Sequence, residues 1–279
     1  MNMIFIKVIF FLLMLAGCGG VSLGDFSSSK IKYQYINLNA NPSLKPEEDP
    51  NLKRKEKMDA QLKLAKVDYQ RLEAVLGRGL SKKDLDDLVK NGEFDADVRS
   101  KSSLKPGEIG VYLSTLDKSL HNAIANKDTI TITLEDDTII PYDVDEQLEQ
   151  ALKAVPKDWD ILYLGCYQNY LTTFAGGVIG PFTPRSQETK DYKYPLCSVD
   201  EGRRVYQTPW IQLDGGCVAG MYAYAVRPES AQKLKKALIP ITQAVDRKLT
   251  TLVGQGTIKA YCLNPELIRA NTNVASTIR

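Results

Sequence analysis

Histidine is nearly absent from this chain: its 279 residues contain one, His121. A site that needs two or more imidazoles cannot be built from a single histidine. The sequence therefore excludes His-rich zinc sites and HExxH-type metalloprotease chemistry. A Ser-His-Asp mechanism would have to use His121 itself.

An excess of charge of either sign is also missing. Lysine and arginine together number 36 and aspartate and glutamate 34, so the formal net charge is only +2. A chain without a basic excess gains little from counterion release, and we expect no nucleic-acid partner. The length allows one large domain with a sizeable core.

The five cysteines form no CxxC pair, which makes a zinc knuckle improbable on spacing alone. Four of them lie in the body of the chain: Cys166, Cys197, Cys217 and Cys262. In an oxidising compartment these four would allow two bridges in any of three pairings, and otherwise they are buried thiols. Both alternatives remain open from the sequence.

One short apolar run stands at the start of the chain. Residues 8–16 are strongly apolar, Lys7 precedes them and small residues follow. This pattern is typical of an export signal and is too short for a full membrane span. Residues 15–18 (LAGC) are similar to a bacterial lipobox, so we interpret residues 1–24 as a lipoprotein signal, a plain signal peptide or a short signal anchor. The N-terminus would then place the protein at a membrane or in an exported or lumenal compartment, after a linker at residues 25–32.

Strand and helix signals alternate along residues 33–279. Strands are predicted at residues 33–38, 68–75, 129–134, 161–164, 218–226 and 258–263. Helices are predicted at residues 53–66, 81–90, 106–124, 144–154, 228–238 and 245–252. Residues 166–216 are interpreted as loops. This alternation predicts one α/β domain whose parallel-rich sheet is covered on both faces.

The residues that carry chemistry follow the predicted strand at 129–134. There the chain runs directly into three consecutive carboxylates, Glu135, Asp136 and Asp137. In open α/β sheets, ligands bind outside the carboxyl ends of the strands. Adjacent acids repel one another unless a cation lies among them, and oxygen-only ligands suit Mg²⁺ or Mn²⁺. The alternative is an acidic turn that only faces water.

Several segments, in order along the chain, resemble glycosyltransferase family 25, the lipopolysaccharide-biosynthesis and collagen galactosyltransferase group. They are residues 35–38 (YINL), 67–75 (VDYQRLEAV), 107–114 (GEIGVYLS), 134–137 (LEDD), 158–165 (DWDILYLG), 222–234 and 244–246 (AVD). The resemblance implies a GT-A-type, Rossmann-like fold over residues 33–279, with a mixed, mostly parallel sheet that binds a nucleotide sugar.

The activity that the resemblance implies is transfer of a hexose, with galactose the first choice, from a UDP-sugar to a saccharide or another hydroxylated acceptor. The reaction would be metal-assisted, with Mn²⁺ or Mg²⁺ at the leaving diphosphate, and inverting.

Residue roles follow on the matching positions. We expect Asp137 to bind the metal and Glu135 to bind the metal or the ribose, on one side if the strand continues through them. Asp136 and Asn37 are expected to contact the nucleotide sugar. Asp246 is the first candidate for the general base and Asp214 the second. For Asp246 the competing interpretation is a helix N-cap.

Departures from the family pattern leave two other functions open. Thr115, Ala244 and residues 39–41 differ from the usual family residues. A membrane-anchored binding protein that has lost catalysis would keep the same fold. A metal-dependent phosphohydrolase would share the acid cluster and would release phosphate without an acceptor.

Overall fold

A seven-stranded mixed sheet forms the centre of the computed structural model, which describes residues 30–167, 210–213, 219–263 and 266–271. The strands of this sheet are β1 (Lys30–Asn37), β2 (Tyr69–Glu73), β3 (Thr129–Glu135), β5 (Ile161–Tyr167), β6 (Trp210–Leu213), β7 (Ala219–Val226) and β8 (Ala260–Leu263). Two further short strands, β4 (Thr138–Ile139) and β9 (Arg269–Ala270), pair with each other. The predictions for residues 1–29, Asp214, Cys197 and Cys217 lie outside the described residues.

The strand order is β2-β1-β3-β7-β5-β8-β6. β1 pairs in parallel with both β2 and β3, and β5 pairs in parallel with β8. β7 runs antiparallel between β3 and β5, and β6 runs antiparallel to β8. Five strands therefore point the same way, which confirms the predicted α/β fold with a mixed, mostly parallel sheet. The carboxyl ends of β1, β2 and β3 meet at one edge.

Helices cover both faces of the sheet. They are α1 (Pro50–Leu64), α2 (Lys82–Lys90), α3 (Ala96–Ser100), α4 (Pro106–Leu113), α5 (His121–Ala125), α6 (Val144–Ala154), α7 (Pro228–Leu238) and α8 (Val245–Gly254). The residues of α4, α5, α7 and α8 pack in one hydrophobic core and those of α1 and α6 in the other. No helix within the described ranges has the length and apolar character that crossing a membrane requires.

β5 shows why one strand serves two cores. Ile161 and Tyr163 pack in the core under α7 and α8, whereas Leu162 and Leu164 pack in the core under α1 and α6. Successive side chains of a strand point to opposite faces, so a strand covered on both sides is apolar throughout.

The conspicuous DWD segment before β5 is structural. Trp159 is buried, and the Arg227 guanidinium lies 4.5 Å from its ring centroid. Asp158 accepts a hydrogen bond from the Tyr261 hydroxyl at 3.0 Å, and Asp160 accepts one from the Lys259 backbone N–H at 2.8 Å. These contacts fix the amino end of β5, opposite the edge where β1 and β3 end.

Several boundaries differ from the sequence predictions. β1 begins at Lys30, inside the predicted linker, and β6 lies in the stretch that we interpreted as loops. The predicted helix at 106–124 is continuous but changes pitch, because a π-helical segment, Ser114–Leu120, joins α4 to α5. Inside a regular 3.6-residue stripe, nothing in the sequence marks such a segment.

Candidate active site

The three carboxylates stand at the end of β3, where the carboxyl ends of β1 and β2 also lie. β3 ends at Glu135, and Asp136 and Asp137 form a two-residue turn before β4. The strand does not continue through the triplet, so strand alternation does not place Glu135 and Asp137 together. The turn does so instead, since all three acids line one cavity of about 280 Å³.

The cavity has an acidic end and an apolar wall. The wall comes from the segment after β2, from α4 and from β7, and includes Val75, Leu76, Val111 and Met221. Gly110 allows the close approach of α4, because a methyl group there would lie 2.6 Å from the Val75 carbonyl oxygen. Apolar walls with a few convergent polar groups are typical of small-molecule sites.

Asp136 is held from two sides. Its Oδ1 lies 2.6 Å from Nη1 of Arg54, and its Oδ2 accepts a hydrogen bond from Nδ2 of Asn37 at 2.7 Å. Both carboxylate oxygens therefore have protein partners. Charge-assisted hydrogen bonds of this kind are among the strong ones.

Asn37 is in turn fixed by its neighbours. Its Oδ1 accepts from Nε of Arg71 at 2.9 Å, and its Nδ2 also donates to the Asn51 carbonyl at 3.1 Å. The side chain is buried. In this arrangement Asn37 orients Asp136, while a contact of Asn37 with a nucleotide sugar stays a prediction.

Ionising Glu135 and Asp137 costs free energy at these positions. Burial, followed by the charges of Asp137, Asp136 and Asp246, raises the pKa of Glu135 to about 8. Burial and the charge of Asp136 also raise the pKa of Asp137, and the nearby Arg54 offsets this only in part. A bound cation would relieve this cost.

The oxygen atoms of these carboxylates are suitable ligands for a hard divalent metal ion. Carboxylate oxygens suit Mg²⁺ and Mn²⁺, which commonly take one or two protein carboxylates and complete their coordination with water and substrate phosphates. Within the described ranges, no three His, Cys, Asp or Glu side chains form a cage for a metal on their own. Such an ion would therefore depend on Glu135 and Asp137 together with oxygens of a ligand.

Asp246 faces the same region from α8. Its charge contributes to the raised pKa of Glu135, which places the two carboxylates within electrostatic reach. The N-cap of α8 is Ala244, so the interpretation of Asp246 as the N-cap is wrong. Oδ1 of Asp246 accepts a hydrogen bond from the Arg247 backbone N–H at 2.8 Å. Oδ2 of Asp246 lies 3.5 Å from the backbone nitrogen of Gly220. Asp246 therefore lies beside Gly220 of β7, near the triplet, but it is not among the residues that line the cavity.

The sequence analysis missed Arg54, although a signal was present. Arg54, Met58 and Leu62 are the buried residues of α1 and recur every four positions. In the sequence, Met58 and Leu62 are apolar residues four positions apart, and one more step of four towards the amino end reaches Arg54. An arginine in an apolar stripe, on a helix beside an acid cluster, is typical of a buried ion pair.

A buried polar network beneath the cavity was also missed. Gln34 Nε2 donates to Thr133 Oγ1 at 2.8 Å, and the hydroxyl of Ser119 lies 2.7 Å from those of both Thr133 and Tyr224. Thr133 and Tyr224 line the cavity. The threonine face of β3 is therefore buried against the π-helical segment and not exposed to water.

Comparison with protein families gives one match. The model of glycosyltransferase family 25, described as an LPS biosynthesis protein family, matches residues 47–249, well over half of the chain. A search of curated proteins found no match. The matched range contains the acid triplet, Arg54 and Asp246, whereas Asn37 and residues 266–271 lie outside it.

Proposed function

Because the chain belongs to glycosyltransferase family 25 and is a glycosyltransferase, we propose that it transfers a hexose from a UDP-sugar to a hydroxyl group of a saccharide or similar acceptor. The observation that carries this proposal is the acid triplet in a cavity at the carboxyl edge of the sheet. That edge is where α/β sheets bind nucleotide ligands. Galactose is the first sugar to test, with the donor's uracil and ribose beside the apolar wall.

The proposed metal role belongs to Asp137 and Glu135. Both oxygens of Asp136 are held by Arg54 and Asn37, whereas Asp137 has a longer ion pair of 3.7 Å with Arg54, so Glu135 and Asp137 are the better candidates to take an ion. Bound Mn²⁺ or Mg²⁺ would neutralise the diphosphate leaving group. Arg54 would add a fixed positive charge at the same end of the cavity.

The proposed general base is Asp246. An inverting transfer needs a carboxylate that takes the proton of the acceptor hydroxyl as the sugar's anomeric carbon is attacked. Asp246 approaches the triplet from α8, on a different element from the metal-binding acids. That arrangement separates the acceptor's proton from the leaving diphosphate.

Asp137→Asn tests the core of this proposal. The variant should lose about 10²–10³ in turnover, because one charged contact to the leaving group disappears. It should also bind Mn²⁺ and donor more weakly in calorimetry, and its fold should persist, since the change relieves repulsion among the acids. Asp117→Asn, at an exposed position, is the matched control. Wild-type binding of Mn²⁺ and donor by Asp137→Asn would place the metal elsewhere.

Turnover with and without acceptor separates the competing functions. A transferase releases UDP fastest when acceptor is present, whereas a phosphohydrolase releases phosphate without one. A binding protein that has lost catalysis would hold UDP-sugar and release nothing. We further propose that residues 1–24 direct export or membrane attachment, which mass spectrometry of the mature N-terminus would test.

A further inference from the structure

The described residues after β8, 266–271, cross the carboxyl end of β5, and we name them the C-terminal strap. The backbone N–H groups of Leu267 and Ile268 both donate to the Leu164 carbonyl, at 2.7 and 3.1 Å. Ile268 is completely buried, and Glu266 accepts a hydrogen bond from the Tyr222 hydroxyl at 2.8 Å. The first half of the strap is thus anchored in the core.

Gly165 admits the strap to this position. A methyl group on Gly165 would lie 1.9 Å from the Ile268 carbonyl oxygen and 2.5 Å from the Tyr222 ring. Both distances are far inside van der Waals contact, and the nearest of these atoms is backbone. Any larger residue at 165 would push the strap away from β5.

The second half of the strap reaches the acid turn. β9 pairs antiparallel with β4, with Ala270 opposite Thr138. The backbone N–H of Asn271 then donates to the carbonyl of Asp137 at 2.7 Å. On the other side of the turn, the buried Thr138 donates its hydroxyl to the Glu135 carbonyl at 3.0 Å. The backbone carbonyls of both proposed metal-binding acids therefore accept hydrogen bonds. The strap supplies the donor for Asp137, and Thr138 supplies the donor for Glu135.

We infer that the C-terminal strap is a positioning element of the metal and diphosphate site, and that the Asn271 backbone N–H is the contact through which it acts on Asp137. This inference rests on the proposed function. Glu135 and Asp137 repel each other, so their carboxylates converge only if the backbone of the turn is held. A displacement of about 1 Å at such a site costs on the order of 10²-fold in rate. The family match ends at residue 249, so the strap lies outside the matched segment.

A pair of variants at one position tests the contact. Asn271→Pro removes the backbone N–H and puts the ring Cδ in its place, and the extended Ala270 has the conformation that a following proline favours. Asn271→Ala keeps the N–H and is the matched control. Mn²⁺ binding in the presence of UDP is measured by calorimetry, alongside the melting temperature. We expect Asn271→Pro to bind Mn²⁺ about three- to tenfold more weakly than Asn271→Ala, the range that one net hydrogen bond supplies.

Turnover at increasing Mn²⁺ separates positioning from a general loss of structure. The Mn²⁺ concentration for half-maximal turnover should rise by the same factor in Asn271→Pro, and excess Mn²⁺ should restore its kcat. Equal Mn²⁺ affinity in the two variants overturns the inference. Failure of wild type and Asn271→Ala to bind Mn²⁺ overturns the proposed metal role, and the inference with it.

Gly165→Ala provides an independent test should Asn271→Pro fold poorly. Its control is Gly79→Ala, where a methyl group would meet its nearest neighbour, a Leu76 side-chain carbon, at an ordinary 3.6 Å. The displaced strap should weaken Mn²⁺ binding in Gly165→Ala alone. Equal Mn²⁺ affinity in two folded glycine variants would also overturn the inference.

Discussion

Nη1 of Arg54 lies 2.6 Å from Oδ1 of Asp136 and 3.7 Å from Oδ2 of Asp137, and the arginine side chain is only 7% exposed. One buried cation thus offsets part of the charge of the acid turn. Arg54 belongs to α1 and both acids to the turn after β3, so the ion pairs also hold that helix at the carboxyl edge of the sheet.

Arg54→Met should destabilise the protein. Removing one partner of a buried ion pair leaves an uncompensated charge and commonly costs about 3–5 kcal/mol. Urea denaturation measures this loss of unfolding free energy. Lys53→Met, at an exposed position of the same helix, is the control, and an equal loss in both variants would contradict the role of Arg54.

Asp246→Asn should separate binding from catalysis. We expect Mn²⁺ and UDP-sugar affinities close to wild type, because the base acts on the acceptor. Transfer should slow by about 10²–10⁴, the usual contribution of a positioned general base. Calorimetry and a transfer assay on the same preparation measure the two quantities. If Asp246→Asn transfers sugar at the wild-type rate, Asp246 is not the general base, and Asp214 would be tested next.

Because of Glu135, we expect the stability of the metal-free protein to depend on pH in an unusual way. Its pKa is raised from 4.5 to about 8, so between these values the folded state holds a proton that the unfolded state has lost. The free energy of unfolding should therefore fall as the pH rises through this window, by at most about 1.4 kcal/mol per pH unit. Urea denaturation of wild type and Glu135→Gln would measure the difference. In Glu135→Gln this fall in unfolding free energy should be absent. An equal change of unfolding free energy with pH in both proteins would exclude Glu135 as its source.

The regular elements were predictable because their signals are local. α6 and α7 have the bounds that the sequence predicted, since apolar spacing marked both and Pro228 marked the start of α7. The start of α2 also has a local signal, because Ser81 and Asp84 form a capping box. The position of the acid triplet followed from the strand before it. The roles of Glu135, Asp137 and Asp246 in metal binding and catalysis stay predictions.

The missed features depend on partners distant in sequence. β4 and β9 are two residues each, too short for any periodicity, and they exist because residues 138 and 270 meet. The difference between Asp136 and the other two acids depends on Arg54, which lies 82 positions before Asp136 in the chain. The sequence predicted a nucleotide-sugar contact for Asp136, and only the long-range contacts show that both of its carboxylate oxygens have protein partners.

The direction of β1 has a consequence for how the domain would work if it is tethered. β1 begins at Lys30 and runs to Asn37 at the cavity, a length of roughly 23 Å at about 3.3 Å per residue. The junction with residues 1–29 therefore lies at the edge of the sheet opposite the cavity mouth. A tether attached at that junction would leave the cavity mouth on the far side of the domain.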